Sequence, residues 1–443
     1  MIKCLLLNSP IYREPSNEKE DYLPPLGLGY IATHLRQSGI ETEIIDCVSN
    51  HLGVRDIIEM LDKQSPDYIG INVFTQNYDI VREIVENCPP KISIIIGGQV
   101  VKCIYNEILQ WKVANKLEIV IGEGELIIPT LIKGTCAEPP FLEYGEKTVY
   151  RVDKRSIYFP NDLGKTFLDR SLFREYTIEN HYGEKEAAII TSRGCMYSCA
   201  FCGGAHNLNT DITIRYRPIS DVAREIEDIV RITPSITSIR VLDDLFLRDA
   251  ISIQNAITMF SEIGGLSWRG MAHVLTFAKS IESLRALKQS GCRELFIGIE
   301  SGSSRIRERI RKPGTVQQVV DVISAILDAG IDVKGYFMYG FPTETASDAE
   351  ETYSLASRLM EKAKSTEGNF RTSVFQFRPY HGTQLYNELL QAGKVMSAIS
   401  GNDALNILNG RSQFNFQSGN YSDMDDSRLN EYVIKTQLLT GED

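Results

Sequence analysis

Residues 193–203 read RGCMYSCAFCG and place three thiols, Cys195, Cys199 and Cys202, on one short stretch. Thiolates are soft ligands suited to zinc or to iron–sulfur centres. A structural zinc site takes four protein ligands, and His206 would complete a Cys3His set. A redox dithiol at Cys199 and Cys202 is the weaker reading, because this C-x-x-C does not open a thioredoxin-like helix. A 4Fe–4S cube held by three thiolates leaves one iron without a protein ligand. An open metal position can take a chelating substrate, as it does in catalytic zinc sites. This last reading accounts for the absent fourth thiol, and Gly194, Gly203 and Gly204 let backbone approach a cube closely.

The thiols need elements to hold them. Short apolar runs at 2–10, 42–47, 68–74, 92–98 and 117–125 alternate with amphipathic segments at 26–39, 54–64 and 78–88. Apolar strands separated by helices predict a parallel sheet covered on both faces. The fold class is therefore α/β, beginning with a doubly wound, flavodoxin-like (Rossmann-like) domain over 1–135, its ligand at the carboxyl ends of the strands. Residues 136–185 read as a linker. A second alternation follows, with strands at 187–192, 236–244, 268–274, 293–301, 333–341 and 373–380 and helices at 220–231, 281–290, 315–329 and 346–362. Six such units predict an open, partial (β/α)6 barrel over 186–385, with its chemistry at the strand C-termini. The cysteine loop follows the first of these strands, at the end where a site belongs. A zinc knuckle has no need of that place. Residues 386–443 turn polar and read as a tail or as a substrate cap over the barrel mouth.

Composition bounds the function. A chain of 443 residues with 43% apolar content suits two or three domains with sizeable cores. No run approaches the ~20 apolar residues of a membrane span. The start has no signal-peptide pattern, and Ile2 is not the glycine that myristoylation needs. A net charge of -11 argues against a nucleic-acid partner. The six remaining cysteines, Cys4, Cys47, Cys88, Cys103, Cys136 and Cys292, are scattered and do not form a secreted disulfide framework, so a reducing cytoplasmic setting is expected.

RGCMYSCAFC resembles the C-x3-C-x2-C loop of the radical S-adenosylmethionine superfamily. The motifs that follow keep the order of that family: RYRPISDVAREI (215–226), VLDDLF (241–246), FIGIESGS (296–303), GYFMYGFPTET (335–345) and RPYHGT (378–383). The first lobe resembles the cobalamin-binding domain fused to many such enzymes, through PPLGLGYIATHLRQSG (24–39), IIDC, IIIGG and IGEGE.

The resemblance implies that Cys195, Cys199 and Cys202 bind a 4Fe–4S cluster whose open iron chelates S-adenosylmethionine. It places Phe201 and Gly203 beside that cofactor, with Phe201 near the adenine. Asp243 or Asp244 would lie near the methionyl ammonium. Glu300, followed by Ser301, would stand at the ribose hydroxyls, where a carboxylate accepts hydrogen bonds. The backbone of Gly340 to Pro342 would meet the adenine. Arg378 and His381 face the site only if the sixth strand has the assumed register. The lobe lacks the D-x-H-x-x-G that would supply a lower axial histidine to cobalamin, and FTQN (74–77) stands in its place. Thr75, Gln76, Gly97, Gly98, Gly122, Glu123 and Gly124 are the cobalamin-binding candidates.

The implied reaction is reductive cleavage of S-adenosylmethionine to a 5′-deoxyadenosyl radical, hydrogen abstraction from a substrate C–H, and methyl transfer from methylcobalamin in a biosynthetic pathway. Other members of the family cyclise, rearrange or oxidise. The implied partners are a small-molecule or peptide substrate and a reductant such as a flavodoxin or ferredoxin. A methylthiotransferase needs three more cysteines in the first lobe. Cys4, Cys47 and Cys88 match that count but fall at different ends of their elements. A non-catalytic cobalamin sensor or chaperone has no need of an open iron. His34, His51, His181 and His273 read as structural.

Overall fold

The computed structural model describes residues 2–11, 23–174, 176, 178–395 and 419–440. Strands β1 (Lys3–Asn8), β2 (Glu41–Asp46), β3 (Tyr68–Asn72), β4 (Ser93–Gly97), β5 (Leu117–Gly122), β6 (Leu142–Tyr144) and β7 (Lys147–Val152) form one sheet in the order β2-β1-β3-β4-β5-β7-β6. The first five follow the flavodoxin-like order. Successive side chains of a strand point to opposite faces. In β1, Leu5 and Leu7 accordingly enter one core with Ile57 and Ile84, while Cys4 and Leu6 enter the other with Leu28, Ala32 and Leu35.

The segment expected to be a linker departs from that reading. Its β7 pairs in parallel with β5, and β6 closes the edge antiparallel to β7. Val149 fills the first of those cores and Val152 the second, whereas the side chains of β6 are exposed. An edge hairpin needs few apolar positions, and for that reason its periodicity is faint in the sequence.

The second sheet contains β8 (Ile178–Glu179), β9 (Lys185–Ile189), β12 (Ser238–Val241), β13 (Ser267–Ala272), β14 (Cys292–Glu300), β15 (Asp332–Tyr339) and β16 (Phe370–Gln376). A two-stranded ribbon, β10 (Ser192–Arg193) and β11 (Arg215–Tyr216), stands apart from it. The strands from β9 to β16 run parallel in chain order, β8 lies antiparallel on the β9 edge, and the sheet curls into a half-barrel. Helices such as Ile219–Ile232, Ala250–Ile263, Val316–Asp328 and Ala346–Ala363 cover its outer face.

Much of the polar extension belongs to this wall. Helix Asp426–Gln437 inserts Leu429, Tyr432 and Val433 into the barrel core, and the Tyr339 hydroxyl meets that of Thr436 at 2.8 Å. Residues 396–418, the centre of the expected cap, lie outside the described residues. Among the described residues no helix is long and apolar enough to cross a membrane.

Candidate active site at the barrel mouth

The ribbon β10–β11 closes the base of the cysteine loop, and Gly194, with φ +96°, turns the chain into it. The turns inside are tight: the Cys202 N–H donates to the Cys199 carbonyl at 3.2 Å and the Ala205 N–H to the Cys202 carbonyl at 3.1 Å. The loop is fastened to the barrel through Ala200, whose N–H donates to the Ile310 carbonyl (2.9 Å) and whose carbonyl accepts from the Leu385 N–H (3.0 Å). Phe201 packs edge-on against Phe341, ring centres 5.6 Å apart, so it belongs to the small core beneath the loop.

All three thiols are partly buried, and burial pushes each upward, Cys202 to about 12. Lys312 opposes that rise at Cys195 and Cys199, and Arg248 at Cys195. Cationic neighbours favour thiolate over thiol, but burial outweighs them here and each thiol stays raised. The Cys3His alternative is not assembled. His206 is exposed, and its backbone N–H donates to the Tyr197 carbonyl.

The strand ends divide the remaining candidates. Asp243 is buried and accepts from the Thr191 N–H (2.7 Å), the Thr191 hydroxyl (2.6 Å) and the Ser192 hydroxyl (2.5 Å). It ties β12 to the chain entering the loop and has no capacity aimed at the mouth. Asp244 turns the other way: it accepts from the Gly194 N–H at 3.2 Å, and a Cβ on Gly204 would lie 3.4 Å from its Oδ1. Between them stands Arg248, unforeseen from sequence. One of its terminal nitrogens reaches the Ser192 hydroxyl, while its Nε and Nη1 are buried without a partner. The residue sits five beyond Asp243 in an otherwise ordinary loop, and no motif marked it.

Glu300 ends β14 in the left-handed region, φ +64°, after a register shift against β15. Irregularities of this kind re-aim side chains. Here the carboxylate meets Lys312 Nζ at 3.1 Å, both side chains largely buried. A Cβ on Gly298 would fall 2.3 Å from Glu300 Oε1 and 2.8 Å from Lys312 Nζ, so glycine makes room for the pair. Lys312 also escaped the sequence reading, since RKPGT looks like an ordinary turn. Ser301 does not join the mouth, because its hydroxyl meets that of Thr352 at 3.0 Å and accepts from the Ser303 N–H. Gly340, at φ +88°, and Phe341 donate their N–H groups to the buried carboxylate of Glu344, at 2.5 and 3.2 Å, and Pro342 lies within that turn. Burial drives Glu344 up to about 8, although both backbone N–H bonds pull the other way.

The first lobe presents the carboxyl ends of β3 and β4 to this mouth. A gap of about 50 Å³ separates Phe74, Thr75, Gln76 and Gln99 from Gly203, Leu208, Tyr380 and His381. Thr75 Oγ1 lies 3.1 Å from His381 Nδ1, and Lys102 Nζ donates to the Leu208 carbonyl at 2.9 Å. Gln99, absent from the sequence candidates, is the side chain that a Cβ on Gly203 would meet, at 3.2 Å.

The glycines have mostly local reasons. A Cβ on Gly98 would lie 2.4 Å from the Val73 carbonyl oxygen, on Gly122 2.2 Å from that of Val152, and on Gly124 2.6 Å from Ile128. Gly97 alone of the four has room above it, with the nearest atom at 3.9 Å. Glu123 does not face the gap. It pairs with Arg193 (2.6 Å) and with Arg215, while Glu125 pairs with Arg193 (2.7 Å). These bonds fasten the lobes at the base of the cysteine loop. Cys4 faces the opposite side of its sheet from Cys47 and Cys88, so the three cannot share a second cluster.

The residues fit the three groups that the sequence implies. Three thiols on one turn and the unpartnered nitrogens of Arg248 suit a cluster and a carboxylate-bearing ligand beside it. The neutral donors and acceptors Thr75, Gln76 and Gln99 suit a corrin edge, although the gap is smaller than a corrin.

Residues 189–356 match the radical SAM superfamily and residues 18–132 the B12 binding domain. An uncharacterized methyltransferase of Pyrococcus horikoshii is 30% identical, over 82% of this chain and 78% of its own length. The cytidylyl-2-hydroxyethylphosphonate methyltransferase of Streptomyces wedmorensis is 24% identical, over 84% and 78%. Among solved structures, the radical S-adenosylmethionine methyltransferase TsrM from Kitasatospora setae, with cobalamin and a [4Fe-4S] cluster bound, superimposes with a TM-score of 0.62 at 17% identity, over 88% of this chain and 75% of that one.

Proposed function

Because this chain belongs to the radical SAM superfamily and carries a B12 binding domain, with a 4Fe–4S cluster, S-adenosylmethionine and cobalamin as its cofactors, we propose that it is a cobalamin-dependent methyltransferase acting on an unactivated C–H carbon of a small substrate. The observation that carries the proposal is the meeting at one mouth of the three-thiol loop and the C-terminal strand ends of the flavodoxin-like lobe, across the gap closed by Thr75 and His381. When bound, the cofactors supply a 5′-deoxyadenosyl radical and a transferable methyl group.

The chain's own residues bind and orient. Cys195, Cys199 and Cys202 hold the cluster on a loop anchored at Ala200. Lys312 and Arg248 offer cationic nitrogens to the carboxylate of S-adenosylmethionine, Asp244 receives its ammonium, and Glu300, fixed by Lys312, is placed for hydroxyl groups. Glu344 holds the Gly340–Phe341 backbone in position at the adenine end. Thr75, Gln76 and Gln99 face the corrin from the first lobe and His381 from the barrel. The closed mouth keeps water from the reacting carbon and fixes its distance from both cofactors, where proximity supplies much of the rate. The relatives named as methyltransferases support methyl transfer, and the placement of Cys4 away from Cys47 and Cys88 weighs against methylthio transfer.

The test begins with metal content after anaerobic production with cobalamin supplied. About four iron and one cobalt per chain, with 5′-deoxyadenosine formed under a flavodoxin or ferredoxin reductant, supports the proposal. Iron without cobalt removes methyl transfer from cobalamin, and zinc in place of iron removes the whole reading.

A further inference from the structure

The interior of the half-barrel holds more positive charge than the mouth chemistry uses. Ile239 and Val241, Leu295 and Ile297, and Val333 and Phe337 pack outward under the helices. The alternate residues Arg240, Phe296, Lys334 and Tyr336 therefore face the lumen, together with Arg269, Glu294 and Arg371. At the lower end the charges are matched. Glu186 takes Arg269 in two bonds of 2.7 Å, and Glu294 receives Arg269 (3.0 Å) and Arg371 (2.5 and 3.0 Å). Asp332 is occupied by the Tyr182 hydroxyl (2.7 Å) and by Asn369.

Two cations in register with these, Arg240 beside Arg269 and Lys334 beside Arg371, are not matched in the same way. Arg240 has a buried Nε without a hydrogen-bond partner, and its guanidinium stands 5.2 Å from the centre of the Phe296 ring. Lys334 is 8% exposed, forms no salt bridge among the described residues, and has the Tyr336 ring 5.6 Å from its Nζ. Burial, and then the neighbouring Arg371, bring Lys334 down to about 7 against the opposing pull of Glu294, with Arg240 and Arg269 adding to the fall. Buried cations are ordinarily paired, because desolvation penalises the charge. Arg240 and Lys334 are two such cations without a salt bridge among the described residues, and they face a lumen whose inward residues Arg240, Met271, Tyr336 and Phe375 stay partly accessible while their outward neighbours are buried.

We propose that Arg240 and Lys334 form an oxyanion site in the barrel lumen that grips a phosphate or phosphonate group of the substrate, with Phe296 and Tyr336 as its apolar walls. The inference rests on the radical SAM reading for the identity of the anion as substrate, but the site itself needs neither cluster nor cobalamin. Arg240 stands on β12, three residues before Asp243 in the segment that follows the strand, about 10 Å from it at ~3.3 Å per extended residue. A substrate anchored there presents a carbon several bonds from its anionic group to the cofactors. Such an anchor selects short phosphorylated or phosphonylated molecules over neutral ones of equal size.

The experiment uses full-length protein reconstituted anaerobically in phosphate-free buffer, titrated with inorganic phosphate, methylphosphonate and acetate by calorimetry and followed by thermal melting. Phosphate and methylphosphonate are expected to bind and to raise the melting midpoint, with acetate at least tenfold weaker. Lys334→Met and Arg240→Gln should each weaken methylphosphonate at least tenfold. Lys334→Met without ligand should melt at or above the parent, because an unpaired buried charge is gone. Unchanged methylphosphonate binding in both variants would overturn the assignment, as would a parent that binds none of the probes or a Lys334→Met chain that melts lower with anion binding intact. Acetate binding as tightly as phosphate would overturn the phosphate class. Anion binding without 5′-deoxyadenosine formation would leave this site standing and refute the proposed function instead.

Discussion

Glu344 offers the sharpest test of how the site is built. Its carboxyl is fully buried and accepts the N–H groups of Gly340 and Phe341 through one oxygen, while the other oxygen has no partner. Two backbone donors favour the ionised form and burial opposes it. Burial wins, lifting the group from its ordinary 4.5 to about 8. The folded chain therefore holds a proton that the unfolded chain releases between those values. Stability from this group is complete below about 4.5 and is lost as pH rises toward and through about 8. At about 1.4 kcal/mol per pH unit the loss is on the order of 5 kcal/mol. Thermal melting of the full chain should therefore fall between pH 5 and pH 9 relative to Glu344→Gln, by roughly 10 °C at about 2 °C per kcal/mol. The comparison with the glutamine variant is essential, because Lys334 acts in the opposite sense. Its folded value, lowered to about 7, makes stability rise with pH above that point. Parallel profiles for the two proteins across the window would refute the argument, since Glu344 would then be ionised in the fold.

Replacing Cys195, Cys199 or Cys202 by alanine should reduce iron well below the ~4 per chain of a cube and bring 5′-deoxyadenosine formation to background, as read by iron assay and chromatography. Glu300→Gln should leave iron content intact and weaken S-adenosylmethionine about tenfold, the scale of one charge-assisted hydrogen bond of ~1.5 kcal/mol, measured by equilibrium binding. Glu123→Ala leaves Arg215, whose side chain is 5% exposed, without its carboxylate. Breaking one partner of a buried pair costs about 3 kcal/mol, so the melting midpoint should drop by several degrees while Cys195, Cys199 and Cys202 still take up iron.

What was legible in the sequence was whatever repeats along it. The five strands of the first sheet and the six of the barrel announce themselves as apolar runs, and Val54–Gln64 and Ala346–Ala363 as helical periodicity. The cysteine triplet is legible because its chemistry is local. Residues that act through a distant partner were not. Lys312 gains meaning only when β14 brings Glu300 beside it, and Arg248 only when β12 sets it against Ser192. The pairing of Glu123 was hidden for the same reason: GEGE marks a strand end, but what its glutamates meet depends on where Arg193 and Arg215 arrive. The hairpin Leu142–Val152 was missed because an edge strand supplies one apolar side chain per face instead of a run.

Motifs also blur residues that touch a ligand with residues that hold the backbone of those that do, and the ends of β14 and β15 separate the two. Glu300 and Thr343 both adopt positive φ, +64° and +71°, which non-glycine residues hold only where the surroundings over-determine them. Arg305 donates to the Thr343 carbonyl at 2.6 Å and pairs with Asp348, which also accepts from the Ser303 hydroxyl at 2.6 Å. Arg307 donates to the carbonyls of Ile299 and Ser301, and Thr352 meets Ser301. IESGS and GFPTET are thus two halves of one brace: Ser301, Ser303, Asp348 and Thr352 lock the adjacent strand ends together, so that Glu300 and Thr343 can be held at positive φ on either side of the mouth. On this argument the serines of the first motif are there for the fold, and its glutamate is the one side chain of the motif left to pair with Lys312 at the mouth.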